Sequence, residues 1–206
     1  MTEEGINPAD GKPWIHPPDR AAWRAWLIDN HATSSGVHFV TWRRPSGKPA
    51  VAYADAVEEA LCVGWIDSKA GKLDEDRSTL WFTARRPRSG WSRPNKERVD
   101  RLIATGQMLP PGLAAIEEAK RRGTWTMLDD VEDLIVPDDL ATAFDAHPPG
   151  RANFEAFSRS ARRALLAWIV EARRPETRAK RIAETAAAAA RNERANERPN
   201  DSVPPA

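Results

Sequence analysis

Residues 64–98 read GWIDSKAGKLDEDRSTLWFTARRPRSGWSRPNKER, and this stretch decides the fold class. Trp65 to Leu73 and Thr79 to Arg85 are strand-like runs. The polar connection from Asp74 to Ser78 joins them as a hairpin or a longer loop. Ser92 then suits the cap of a helix that carries Val99, Leu102 and Ile103 and ends at Gly106. Working outward, Gly36 to Trp42 alternates and is rich in β-formers, so a third strand is expected there. Helices are expected over residues 19–32, with Asp19 as the cap, and over 53–63, with Val57, Ala60 and Leu61 as the apolar stripe. Pro110 and Pro111 fit the first turn of a further helix, which Gly123 ends. The expected fold is α+β: a small antiparallel sheet packed by helices, followed by a helical C-terminal module.

The punctuation suggests four segments. Residues 1–18, rich in Pro and Gly, read as a flexible N-terminal arm; 19–147 read as the α+β domain. His147-Pro148-Pro149-Gly150 is the clearest linker signal, and 151–191 read as the helical module. In that module Ser158 is the expected cap of one helix, and Pro175 opens the next. Residues 124–136 read as an acidic connector, and 192–206, polar and with three Pro, as a disordered tail.

Composition narrows the function classes. The chain has 206 residues and a net charge of +1, which gives no global argument for nucleic acid or an anionic membrane. Cys62 is its single cysteine, so no intrachain disulfide can form and a Cys-based zinc site is excluded. The N-terminus lacks the basic and apolar regions of a signal peptide, and no apolar run approaches the roughly 20 residues of a membrane span. A cytoplasmic location is therefore expected. The four His are scattered, and no phosphate loop, dinucleotide fingerprint or nucleophile elbow is present. No catalytic residue, metal site or cofactor is assigned.

Nine Trp against one Tyr is the anomaly. Within 64–98, Trp65, Trp81 and Trp91 interleave with Lys69, Lys72, Arg85, Arg86, Arg88, Arg93 and Lys96. Arg forks grip carboxylates and phosphates and also stack on aromatic rings. Asp67 could orient one of the arginines, and Ser92 with the amides opening its helix, near Asn95, could hold an anion. The expected ligand-binding set is Trp65, Asp67, Lys69, Arg85, Arg86, Trp91, Ser92 and Asn95, for an anionic, partly flat ligand. The same residues admit a purely structural reading, with Trp65 and Trp91 in the core and Asp67 paired with Arg85 or Arg86.

Three long motifs carry a resemblance: LCVGWIDSKAGKLDEDR (61–77), FTARRPRSGWSRPNKERVDRLIATGQMLPPGLAAIEEAKRRGTW (82–125) and RRPETRAKRI (173–182). Together they resemble the YdeI/OmpD-associated family of bacterial proteins, whose C-terminal part is a bacteriocin-protection module. The resemblance implies protection against bacteriocins or antimicrobial peptides, and it brings no catalytic residues. The N-terminal part also resembles YdhG-like domains with a frataxin-like α+β fold, but this chain lacks the dense acidic helix that frataxins use for iron.

Three functions compete. The first is a non-enzymatic stress or bacteriocin protection factor that binds a small anionic ligand or a protein partner through 64–98. The second is an enzyme on an anionic metabolite, with Asp67 as acid or base and Arg85 and Arg86 as the clamp. The third is a nucleic-acid or envelope-associated binding protein using the basic C-terminal helices. Nucleic acid is not the expected partner, because Arg and Glu at helical spacing also describe ordinary amphipathic helices. A monomer or a homodimer fits.

Overall fold

A computed structural model describes residues 2–196. The chain divides into two compact units: Met1–Ser89 with Pro94–Thr124, and Gly90–Arg93 with the chain from Trp125 onward. The fold is α+β.

The first unit is built on one five-stranded sheet of order β1-β2-β3-β5-β4. Its strands are β1 (Glu3–Ile6), β2 (Pro13–His16), β3 (Val37–Trp42), β4 (Trp65–Lys72) and β5 (Arg77–Ala84). The three strands expected from the sequence are β3, β4 and β5, and both pairs among them are antiparallel. Residues 1–18 correct the expectation of a flexible arm. They hold β1 and β2, an antiparallel pair, and β2 then runs parallel to β3. A parallel pair needs a crossover, and helix α1 (Arg20–Asn30) supplies it. The sheet is therefore mixed rather than wholly antiparallel.

Asp19 caps α1 by accepting the Ala22 amide at 2.8 Å, and the helix buries Trp23 and Leu27. Trp23 packs on Phe39 and Phe82, ring centroids 5.0 and 5.4 Å away. Its indole N–H is satisfied by the Ala56 carbonyl at 3.0 Å. Ala56 lies in α2 (Tyr53–Cys62), whose stripe of Val57, Ala60 and Leu61 is buried as expected. Both helices thus cover one face of the sheet, the face of Phe39 and Phe82. α3 (Arg93–Ala104) and α4 (Pro110–Arg121) follow.

α1 and α2 are also tied by charge. Glu59, 3% exposed, accepts Arg20 Nε at 2.5 Å and an Arg24 Nη at 2.6 Å. A carboxylate taken out of water to this degree is tolerated only because two guanidiniums answer it.

The second unit is helical: α5 (Asp129–Glu132), α6 (Asp138–Asp145), α7 (Gly150–Ala156), α8 (Arg159–Val170) and α9 (Pro175–Ala190). Leu140, Phe144, Phe154, Leu165, Ile169 and Ile182 form much of its core. Ser158 caps α8 by accepting the Ala161 amide at 3.2 Å, and Pro175 opens α9. The acidic connector contains the one-turn α5, in which Val131 and Glu132 are buried. The linker-like 147–150 stretch lies inside this unit, where a buried Gly150 opens α7. Of the expected tail, Asn192 to Asn196 is described, and the remainder lies outside the described residues.

Candidate functional site

The expected ligand set separates into core and surface residues. Trp65, at the start of β4, is 1% exposed; its ring meets Trp26 edge-on at 6.2 Å, and its N–H donates to the His31 carbonyl at 3.2 Å. Trp91 is equally buried and packs against Trp125 at 5.0 Å. Both were expected to offer an indole face to a ligand. They serve the core instead, because an indole that finds an apolar bed and an acceptor is worth more buried than wet. Trp91 and Ser92 also belong to the second unit, whereas Trp65, Asp67, Lys69, Arg85, Arg86 and Asn95 belong to the first.

The other expected residues of the first unit lie at or near its surface. Asp67, half-buried on β4, accepts the Tyr53 hydroxyl at 3.0 Å. Arg85 follows β5, where its amide bonds the Gly64 carbonyl at 2.9 Å. Burial pushes its guanidinium down to about 10, and the Asp67 carboxylate partly opposes that shift. Arg85 therefore stays charged at neutral pH. Burial raises the Tyr53 phenol, and the negative charge of Asp67 with its hydrogen bond adds to this, while Arg98 acts the other way. Asn95 accepts from Arg98 at 2.9 Å. Tyr53 thus feels both Asp67 and Arg98, and Asp67 in turn acts on Arg85, a chain of neighbours on α2, α3, β4 and the end of β5. Such a group can meet an acidic ligand with guanidinium and phenol donors.

Arg86 and Lys69 are exposed. The Arg86 carbonyl accepts both the amide and the hydroxyl of Ser89 at 3.0 Å, which fixes a turn. Sequence reasoning missed Tyr53 and Arg98. The single Tyr of the chain was a signal, but nothing in its neighbourhood linked it to Asp67 fourteen residues on.

The basic residues of the second unit are largely committed within it. Arg163 makes two bonds to Glu132, at 2.7 and 3.0 Å, and Arg159 donates to the Glu132 carbonyl at 2.6 Å. Arg178 pairs with Asp139, Lys180 with Glu184, and Arg181 donates to the Trp168 carbonyl. Among the described residues no group of three or more His, Cys, Asp or Glu could hold a metal ion, and no helix is long and apolar enough to cross a membrane.

Residues 15–115 match the model of a domain of unknown function (DUF8412). Residues 133–192 match the model described as bacteriocin-protection, YdeI or OmpD-associated. No curated protein and no solved structure matches the chain.

Proposed function

We propose that this chain, whose residues 133–192 form a domain of the bacteriocin-protection, YdeI or OmpD-associated family, is a cytoplasmic protection factor that acts by binding, and that its first unit takes a small anionic ligand at Arg85. The family's description supports the protective role. One observation carries the binding reading: a half-buried guanidinium, held down to about 10, beside a carboxylate that Tyr53 holds at 3.0 Å. A guanidinium partly withdrawn from water acts on a nearby anion more strongly than an exposed one, so a carboxylate or phosphate reaching Arg85 would be held by charge and by charge-assisted hydrogen bonds. Arg98 supplies positive charge beside Tyr53, whose hydroxyl can turn from Asp67 to the ligand. The Asp67 carboxylate would tune selectivity, repelling ligands that crowd it and orienting those that do not.

The test is calorimetric titration of the whole chain with inorganic phosphate, succinate and citrate. Wild type and Arg86→Ala should bind one of these, and Arg85→Ala, shown folded by circular dichroism, should not. Heat that is absent from wild type with all three, or unchanged in Arg85→Ala, would overturn the reading.

A further inference from the structure

The sheet face opposite α1 and α2 carries a second set of aromatic residues. The pairing register places Gly5, Trp14, His38 and Trp81 in one row across β1, β2, β3 and β5, with Trp42 opposite Arg77 further along β3 and β5. Side chains alternate along a strand, so all of these lie on the face that Phe39 and Phe82 do not use. Two glycines let the indoles lie flat. A Cβ on Gly5 would come within 2.7 Å of the Trp14 ring, and one on Gly36 within 2.3 Å of the Trp81 ring. The imidazoles fill in beside them: His16 meets Trp42 at 4.9 Å, and His38 meets Trp81 at 4.7 Å while bonding Asp10 at 2.9 Å.

Long cations lie over these rings. Lys48 Nζ sits 3.9 Å from the Trp42 centroid and Lys12 Nζ 4.4 Å from that of Trp81. The Arg77 guanidinium lies 5.6 Å from Trp14 and 5.7 Å from Trp42. Lys12 and Lys48 are themselves exposed, where a cation over a ring contributes only on the order of 1 kcal/mol, so they are light covers that a ligand can displace. Beside Trp42 opens a cavity of about 390 Å³, lined by Trp42, Lys48, Asp74, Glu75, Asp76 and Arg77.

Charge decides the ligand class. Lys12, Lys48 and Arg77 stand among Glu3, Asp10, Asp74, Glu75 and Asp76, so carboxylates outnumber cations here, and Arg77 bonds both Asp74 and Glu3. A single-stranded nucleic acid needs a groove of net positive charge beside its stacking rings, and this face has none. A neutral ligand with flat apolar faces and many hydroxyls suits it. The C–H faces of a sugar ring are weakly positive and lie on the negative face of an indole. Its hydroxyls give to carboxylates and take from guanidinium and ammonium groups. Trp14 and Trp81 stand on strands two places apart, roughly 10 Å, which spaces them for an oligomeric ligand.

We propose that this face, formed by Trp14, Trp42 and Trp81 with the charged side chains around them, is a binding site for neutral saccharide chains. It is separate from the Arg85 group and does not depend on it. The test is native electrophoresis of the whole chain in gels holding hydroxyethyl-cellulose, soluble starch or dextran, alongside titration with oligothymidylate. One neutral glycan should retard wild type, and Trp42→Ala should weaken retention about tenfold, as loss of one stacking partner does. Because Trp42→Ala can unsettle the sheet, the indole N–H signals of wild type are followed as the same glycan is added. Those of Trp14, Trp42 and Trp81 should move, while the buried Trp23, Trp65 and Trp91 should stay. Retardation by none of the glycans, indole signals that stay still, or salt-sensitive binding of oligothymidylate alone would overturn the proposal.

Discussion

Arg178 grips Asp139 at two points: its Nε reaches one carboxylate oxygen at 2.7 Å, and an Nη reaches the other at 2.9 Å. The fork ties the first turns of α9 and α6, and it gives the RRPETR motif a physical role, since Pro175 starts the helix and Arg178 anchors it. The pair is partly exposed, so Arg178→Lys, which keeps the charge but loses the fork, should cost about 0.5–1 kcal/mol. Urea denaturation followed by far-UV circular dichroism reads the difference, and an unchanged midpoint would show that the fork holds nothing.

Glu132 is 6% exposed, and its bonds to Arg163 hold its carboxyl below the usual range. Glu132→Ala leaves Arg163 without its carboxylate, and since the Arg163 side chain still reaches water the loss should be about 1–2 kcal/mol at neutral pH. The folded-state value is depressed, so the unfolded chain takes up the proton first on acidification. The contribution is complete above about 4.5, the ordinary Glu value, and is lost as pH falls through the lower folded value. Thermal melts of wild type and Glu132→Ala should therefore differ at pH 7 and draw together as pH falls below about 4.5.

Cys62 is buried, and burial pushes its thiol up although the nearby Arg24 guanidinium acts the other way. Alkylation by iodoacetamide at about pH 8 should wait for opening of the first unit. Glu59→Ala releases Arg20 and Arg24 and should speed labelling in native buffer by at least about tenfold, as a loss of more than about 1.4 kcal/mol implies. Fast labelling of the wild type would show that the thiol is reached without unfolding.

Gly36 has a φ of +147°, and a Cβ there would also lie 2.9 Å from the Phe82 carbonyl. Gly36→Ala should cost about 2 kcal/mol or more through backbone strain and the displaced Trp81 ring. The near-UV circular dichroism of the indoles should change with it, and a variant that keeps both spectrum and stability would contradict this packing.

The sequence was legible where one residue type has one local job. Asp19 and Ser158 cap helices through their own side chains, Pro175 starts one, and the hairpin of β4 and β5 follows its β-rich runs. It was opaque where an element exists only through its neighbours. β1 and β2 have four residues each and are strands because β3 gives β2 a parallel partner. α5 has one turn, too short for periodicity, and is fixed by the burial of Val131 and Glu132. In the candidate site, the Trp/Arg stretch drew the eye to Trp65 and Trp91, which composition cannot tell from surface indoles. Asp67 and Arg85 meet Tyr53 and Arg98 only through the packing of four elements.

β4 is an outer strand of the sheet, and its pairing with β5 slips by one residue between Asp67 and Ala70. Ser68 and Lys69 share that bulge, with Lys69 exposed. An irregular, charged margin gives a stray strand from a second molecule no continuous ladder to join. Glu3 and Glu4 place like charges on the opposite margin, in β1. The slip, which begins just past the Asp67 that holds Tyr53, thereby guards the protein against growing into fibres, and straightening it would trade monodispersity for regularity.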